Sequence, residues 1–124
     1  MKKLITLFTF IILTLVSNAQ INKFTTIAVA FKETDQWTDW QEYNTEIISD
    51  TDKMYIDIDN IRFYISSEKK PMVFSENNKN ILIFFCLDQD GIKCVIEFVR
   101  YIDTYHKQIY IRYSEKEIVY QIKL

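Results

Sequence analysis

The chain has 124 residues, 48% of them hydrophobic and 26% charged, with a net charge of −2, one Gly and one Pro. That length suits one domain. The missing basic excess argues against nucleic acid and anionic membranes as partners, and one glycine excludes a glycine-rich phosphate loop.

Residues 1–19 read as an export signal. Lys2 and Lys3 precede an uncharged run at 4–16, and Ser17 and Ala19 place small residues three and one before a cut ahead of Gln20. The run is shorter than the roughly 20 apolar residues a membrane span needs. The expected organisation is an N-terminal signal helix over 1–19 and a single exported all-β domain over 20–124, periplasmic or extracellular, with no membrane span after signal removal.

From there on β-branched and aromatic residues alternate with polar ones. The first strand is expected at 24–32. Residues 36–44 read as a loop or short edge segment, and their aromatics Trp37, Trp40 and Tyr43 are the candidate binding surface. Flat rings give large contact area at low entropic cost, suiting a protein or glycan partner. The alternative is that these rings plug the end of a β core.

Strands follow at 45–49, 53–59 and 61–66. A two-residue turn at Asp59-Asn60 sets Ile58 against Ile61, Ile56 against Phe63 and Met54 against Ile65 on one face. It sets Asp57 against Arg62 and Tyr55 against Tyr64 on the other. Asp57 and Asp59 share a face, as an acid–base pair for glycoside hydrolysis would. Arg62 opposite Asp57 favours an ordinary solvated face.

A short strand at 72–75 enters from Pro71, which suits an edge. Strands at 80–87 and 92–102 flank Gln89-Asp90-Gly91, a three-residue turn with Gly in the left-handed position. That register places Cys86 opposite Cys94, and in an exported chain a disulfide is expected between them. Asp88, Asp90 and Gly91 resemble the middle of a calcium loop. The flanks are strands rather than helices and Cys86 stands where a ligand oxygen is needed, so they read as turn residues. His106, the only histidine, falls in a turn at 103–107, and two Cys with one His are too few for a structural zinc site. Strands at 108–114 and 117–123 close the chain, the last with Ile118, Tyr120, Ile122 and Leu124 on one face.

Short connections between consecutive strands imply an antiparallel meander of about seven to nine strands. Its apolar face must be covered, so the sheet curls into a small barrel or a two-layer sandwich. Scarce glycine weighs against a tightly closed barrel, which uses glycine kinks.

Asn18-Ala19-Gln20, Trp37-Thr38-Asp39-Trp40, Cys86-Leu87-Asp88-Gln89-Asp90-Gly91-Ile92-Lys93-Cys94 and the aromatic closing strands together resemble small secreted proteins of unknown function from Bacteroidota. The resemblance implies export and an all-β domain. It supplies no activity, cofactor or catalytic residue.

The sequence therefore points to a non-catalytic binding or interaction module for a protein, a glycan or a small apolar ligand. A lipocalin-like carrier of an apolar ligand is the first alternative. An envelope hydrolase built on Asp57 and Asp59 or on His106 is the second. No cofactor or metal is expected.

Overall fold

The turns of this chain are made by residues that tolerate a positive φ without being glycine. Asp59 and Asn60 (φ 55° and 66°) form one two-residue turn, Asn77 and Asn78 (44° and 67°) another. Such pairs match the right-handed twist of the strands they join. Gly91, at φ 78°, is the one glycine so used. The computed structural model describes residues 21–124; the signal expected at 1–19 lies outside the described residues.

Eleven strands follow one another: β1 (Ile21–Glu33), β2 (Gln36–Trp37), β3 (Gln41–Glu42), β4 (Glu46–Asp50), β5 (Tyr55–Ile58), β6 (Ile61–Ile65), β7 (Met72–Glu76), β8 (Lys79–Leu87), β9 (Lys93–Tyr101), β10 (Lys107–Arg112) and β11 (Lys116–Ile122). All pairings are antiparallel, and β11 returns to pair with β1. The meander thus closes into an eight-stranded barrel of β1, β4, β5, β6, β8, β9, β10 and β11. The extra strands β2 and β3 lie along β1 beyond β4, and β7 lies along β8. The barrel, not the sandwich, is the form taken.

Closure without glycine kinks corrects the expectation drawn from glycine scarcity. The register of β1 against β11 shifts between Thr26 and Ala28. This bulge inserts one residue, so Thr26 and Val29, three apart, are both buried. The bend it makes is held by Thr26, whose hydroxyl donates to the Tyr43 carbonyl at 2.7 Å and accepts from the Thr45 amide at 2.9 Å.

The first hairpin forms in the expected register, with Tyr55, Ile56, Asp57 and Ile58 opposite Tyr64, Phe63, Arg62 and Ile61. Ile56, Ile58, Phe63 and Ile65 are buried, while Ile61 and Met54, expected on the same face, are exposed. Cys86 also lies opposite Cys94 as expected. The disulfide does not form: both are buried free thiols. Directly opposed strand residues hold their Cβ atoms about 4.5–5.5 Å apart, whereas a bridge wants about 3.5–4.5 Å. With both side chains pointing into the core from a regular ladder, the pleat keeps the sulfurs apart. Ile118, Tyr120 and Ile122 face the core as expected, but Leu124 is exposed beyond the end of β11.

The weakest seam joins β6 to β8. Only Tyr64 with Leu87 and Ile65 with Cys86 are paired there. Along the first half of β8 the neighbour is instead β7, which pairs only with β8 among the described residues.

Candidate functional site

An eight-stranded barrel is just wide enough for side chains to fill, or to hold one small ligand. In this barrel one end is filled by side chains and the other leaves a cavity. Ile47, Ile56, Ile58, Ile96 and Ile109 are essentially inaccessible, and Cys86, Cys94, Ile111 and Tyr120 complete the filled half. That end carries the turns 59–60, 88–92 and 113–116. Two tyrosines close it. The Tyr43 hydroxyl donates to the Asp59 carboxylate, which also accepts from Thr45 Oγ1 at 3.0 Å. The Tyr43 ring lies tilted against that of Tyr120, centroids 6.4 Å apart. The Tyr113 hydroxyl donates to Asp88 Oδ2 at 2.9 Å, and its ring packs on the core.

Each tyrosine hydroxyl is held protonated by its surroundings. The Asp59 hydrogen bond raises the Tyr43 pKa. Burial first, then the Asp88 bond, raise that of Tyr113. Burial pushes the Tyr120 hydroxyl up to about 12.

Among the described residues the opposite end is open. A cavity of about 480 Å³ enters the barrel there, lined in its depth by Phe24, Leu82, Phe84, Phe98, Ile109 and Ile122. Phe98 stands between Phe24 and Phe84, with centroids 5.9 and 5.7 Å away. Nearer the mouth the lining turns polar, with Asn22, Ser49, Thr51, Asn80, Arg100 and Lys107. Val73 of β7, 75% exposed, stands at the mouth beside β8. An apolar interior with a few polar groups at its rim is the usual form of a small-molecule pocket, and its volume falls in the common range of about 300–1,000 Å³.

None of the aromatic candidates from the sequence lines this cavity. Trp37 and Trp40 are 42% and 49% exposed. Trp37 lies outside the barrel, edge-on to Tyr110 at 6.2 Å and under the Lys32 ammonium at 5.9 Å. It borders a shallow surface hollow with Phe31, Glu33 and Thr38. Tyr43 does instead what was weighed for the tryptophans and covers one end of the core. The structure therefore does not bring Trp37, Trp40 and Tyr43 into one site.

The hydrolytic candidates do not converge either. Both Asp57 oxygens accept from the Arg62 guanidinium, at 2.8 and 3.0 Å, while Asp59 is bound to Tyr43 and Thr45 in the turn. His106 is exposed, and its carbonyl accepts from the Tyr101 amide. Asp88 Oδ1 accepts from the Asp90 and Ile92 amides, both at 2.9 Å. With Tyr113 on its other oxygen, Asp88 is a turn-forming residue.

The sequence reading missed Arg100 and Lys107. The signal was present: each stands at the end of an inward apolar stripe, Cys94-Ile96-Phe98 before Arg100, and Ile109-Ile111 after Lys107. No family model, curated protein or solved structure matches this chain.

Proposed function

We propose that this protein is a non-catalytic binding protein that carries a small apolar or amphiphilic molecule in its barrel. The observation that carries this reading is the cavity at the open end, about 480 Å³ and floored by aromatic and aliphatic side chains. The other half of the same barrel is filled, so the chain has residues able to occupy its interior. Phe24, Leu82 and Phe98 are only partly buried around this space, and an apolar ligand covering them would gain about 0.8 kcal/mol per methylene buried. The reading includes export, on the signal-like residues 1–19 and the resemblance to secreted proteins.

The test is fluorescence of N-phenyl-1-naphthylamine, a neutral apolar dye, on titration with the purified protein. A blue-shifted, enhanced emission that dodecanol displaces is expected, and Leu82→Trp, which fills the cavity, should abolish it while the protein stays folded by circular dichroism. No enhancement with the wild type, or displacement unaffected by Leu82→Trp, overturns the proposal.

The exposure of Trp37 and Trp40 supports a second reading, in which the outer surface recognises a protein or glycan. Pull-down with the Trp37→Ala/Trp40→Ala variant tests it. Recovery of the same partners as the wild type would defeat it.

A further inference from the structure

The ligand class follows from the two cations at the mouth, and this inference rests on the carrier reading above. Arg100 and Lys107 are register partners on β9 and β10, so their Cα atoms are about 4.5–5.5 Å apart. Both line the cavity. Lys107 reaches over the inward ring of Phe24, its Nζ 5.8 Å from the centroid, at the boundary between apolar floor and polar rim.

Like charges directly opposed on paired strands repel. The chain's two other arginines are both paired with carboxylates. Arg62 is paired with Asp57, Arg112 with Glu97 and Glu117, and Lys32 with Glu117. Among the described residues Arg100 and Lys107 have no ion-pair partner, and no Asp or Glu lines the cavity. The cavity lining described here therefore carries two cations and no carboxylate, next to an apolar interior.

We propose that Arg100 and Lys107 form an anion-binding mouth that takes the head group of a single-chain amphiphile, whose tail lies along Phe24, Leu82 and Phe98. A guanidinium presents a planar fork to an oxyanion and an ammonium a mobile point charge. Together they suit a carboxylate or a phosphate monoester, which share this chemistry. Thr51 and Asn80 add neutral hydrogen-bonding groups at the rim.

The experiment compares dodecanoate, dodecyl phosphate, dodecanol and dodecyltrimethylammonium as competitors of N-phenyl-1-naphthylamine, all below their micellar concentrations. The tail is constant and only the head varies. The expected result is that at least one anion binds about tenfold tighter than dodecanol, about 1.4 kcal/mol, with the cation weakest. Which anion leads distinguishes a carboxylate from a phosphate source. Arg100→Gln/Lys107→Gln should erase the preference, so that neither anion binds tighter than dodecanol. The wild type supplies a readout independent of how that variant folds. Raising salt from about 0.1 to 1 M shortens the screening length from about 10 to 3 Å, and should shrink the anion preference without weakening dodecanol. If dodecanol binds as tightly as both anions, or the preference survives in the double variant, the anion mouth is refuted and the cavity reading stands. If no competitor and no dye binds, the carrier reading falls and takes this inference with it.

Discussion

Ile96 and Phe98 lie two residues apart on β9, both facing into the barrel, and truncating each to alanine should reverse the order their sizes suggest. Ile96 is 0% exposed and surrounded by core. Phe98 is only partly buried and lines the cavity, with Phe24 and Phe84 on its two sides. In closed cores Phe→Ala costs about 3–5 kcal/mol and Ile→Ala about 2–5, each sum containing a transfer part and a cavity part. At Ile96 both parts apply, because packed neighbours cannot collapse into the space, and the expected cost is about 3–4 kcal/mol. At Phe98 the cavity part vanishes, since the variant only enlarges a space that already exists. What is lost is a partial transfer contribution of about 1.5 kcal/mol and two ring contacts of about 0.5 kcal/mol each. The expected cost is therefore about 2–3 kcal/mol.

Urea unfolding of the two variants at unchanged m-value measures this directly. By thermal unfolding each kcal/mol should appear as about 4–8 °C in a domain of this size. Phe98→Ala should still bind the apolar dye and accept longer-chain alcohols than the wild type does. If Phe98→Ala costs more than Ile96→Ala by about 1 kcal/mol or more, Phe98 is packed as tightly as the core, and the cavity is not the open space described here.

Three further outcomes follow from separate parts of the molecule. The Ile92 amide above all, with the Tyr113 hydroxyl and the Asp90 amide, holds the Asp88 carboxyl below its ordinary value of 3.8. The unfolded chain therefore takes up this proton at higher pH than the folded one. The stabilisation is complete above the ordinary value and is lost as pH falls below about 4. Asp88→Asn should flatten that acid limb of the stability curve, and acid limbs parallel to the wild type would refute the assignment. Burial pushes the thiols of Cys86 and Cys94 up to about 12, so iodoacetamide near neutral pH should leave the native protein unlabelled and label both in denaturant without reductant. A mass two hydrogens short, with no labelling, would instead show the bridge. Trp37→Ala/Trp40→Ala should leave dye displacement by dodecanol unchanged, because neither ring lines the cavity, and a weakening beyond about threefold would place a tryptophan in the ligand site.

Local rules made the all-β class and two hairpin registers legible in the sequence. Asp59-Asn60 and Gln89-Asp90-Gly91 each admit one register that puts apolar residues on a single face, and both occur. The closure was not legible, because it depends on a bulge at Thr26 that no turn residue announces and on β11 meeting β1 across most of the chain. The cavity was hidden for a related reason. Phe24, Leu82 and Phe98 look like core residues in any strand pattern. Only the closed barrel shows that their half of the interior is left unfilled. Trp37 and Trp40 drew attention as large rings in a polar stretch, yet the functional asymmetry lies in smaller signs: Arg100 and Lys107, charged residues at positions whose period points inward.

Two aspartates in turns account for how one end of the barrel is closed. At the closed end Asp59 and Asp88 each do two jobs: they shape a tight hairpin, and they accept a hydroxyl from a tyrosine lying over the core. An aspartate in a short turn is fixed in position, so it can hold a ring across the barrel end. At the open end lie the connections 51–54, 77–78 and 102–106, and β7 covers the gap left where β6 stops pairing with β8. Among the described residues no carboxylate lines the cavity there, and its rim is made of amides, hydroxyls and two cations. The same short seam that leaves room inside the barrel leaves β7 bonded along one edge only. Displacing β7 therefore breaks one ladder and leaves β8 paired with β9.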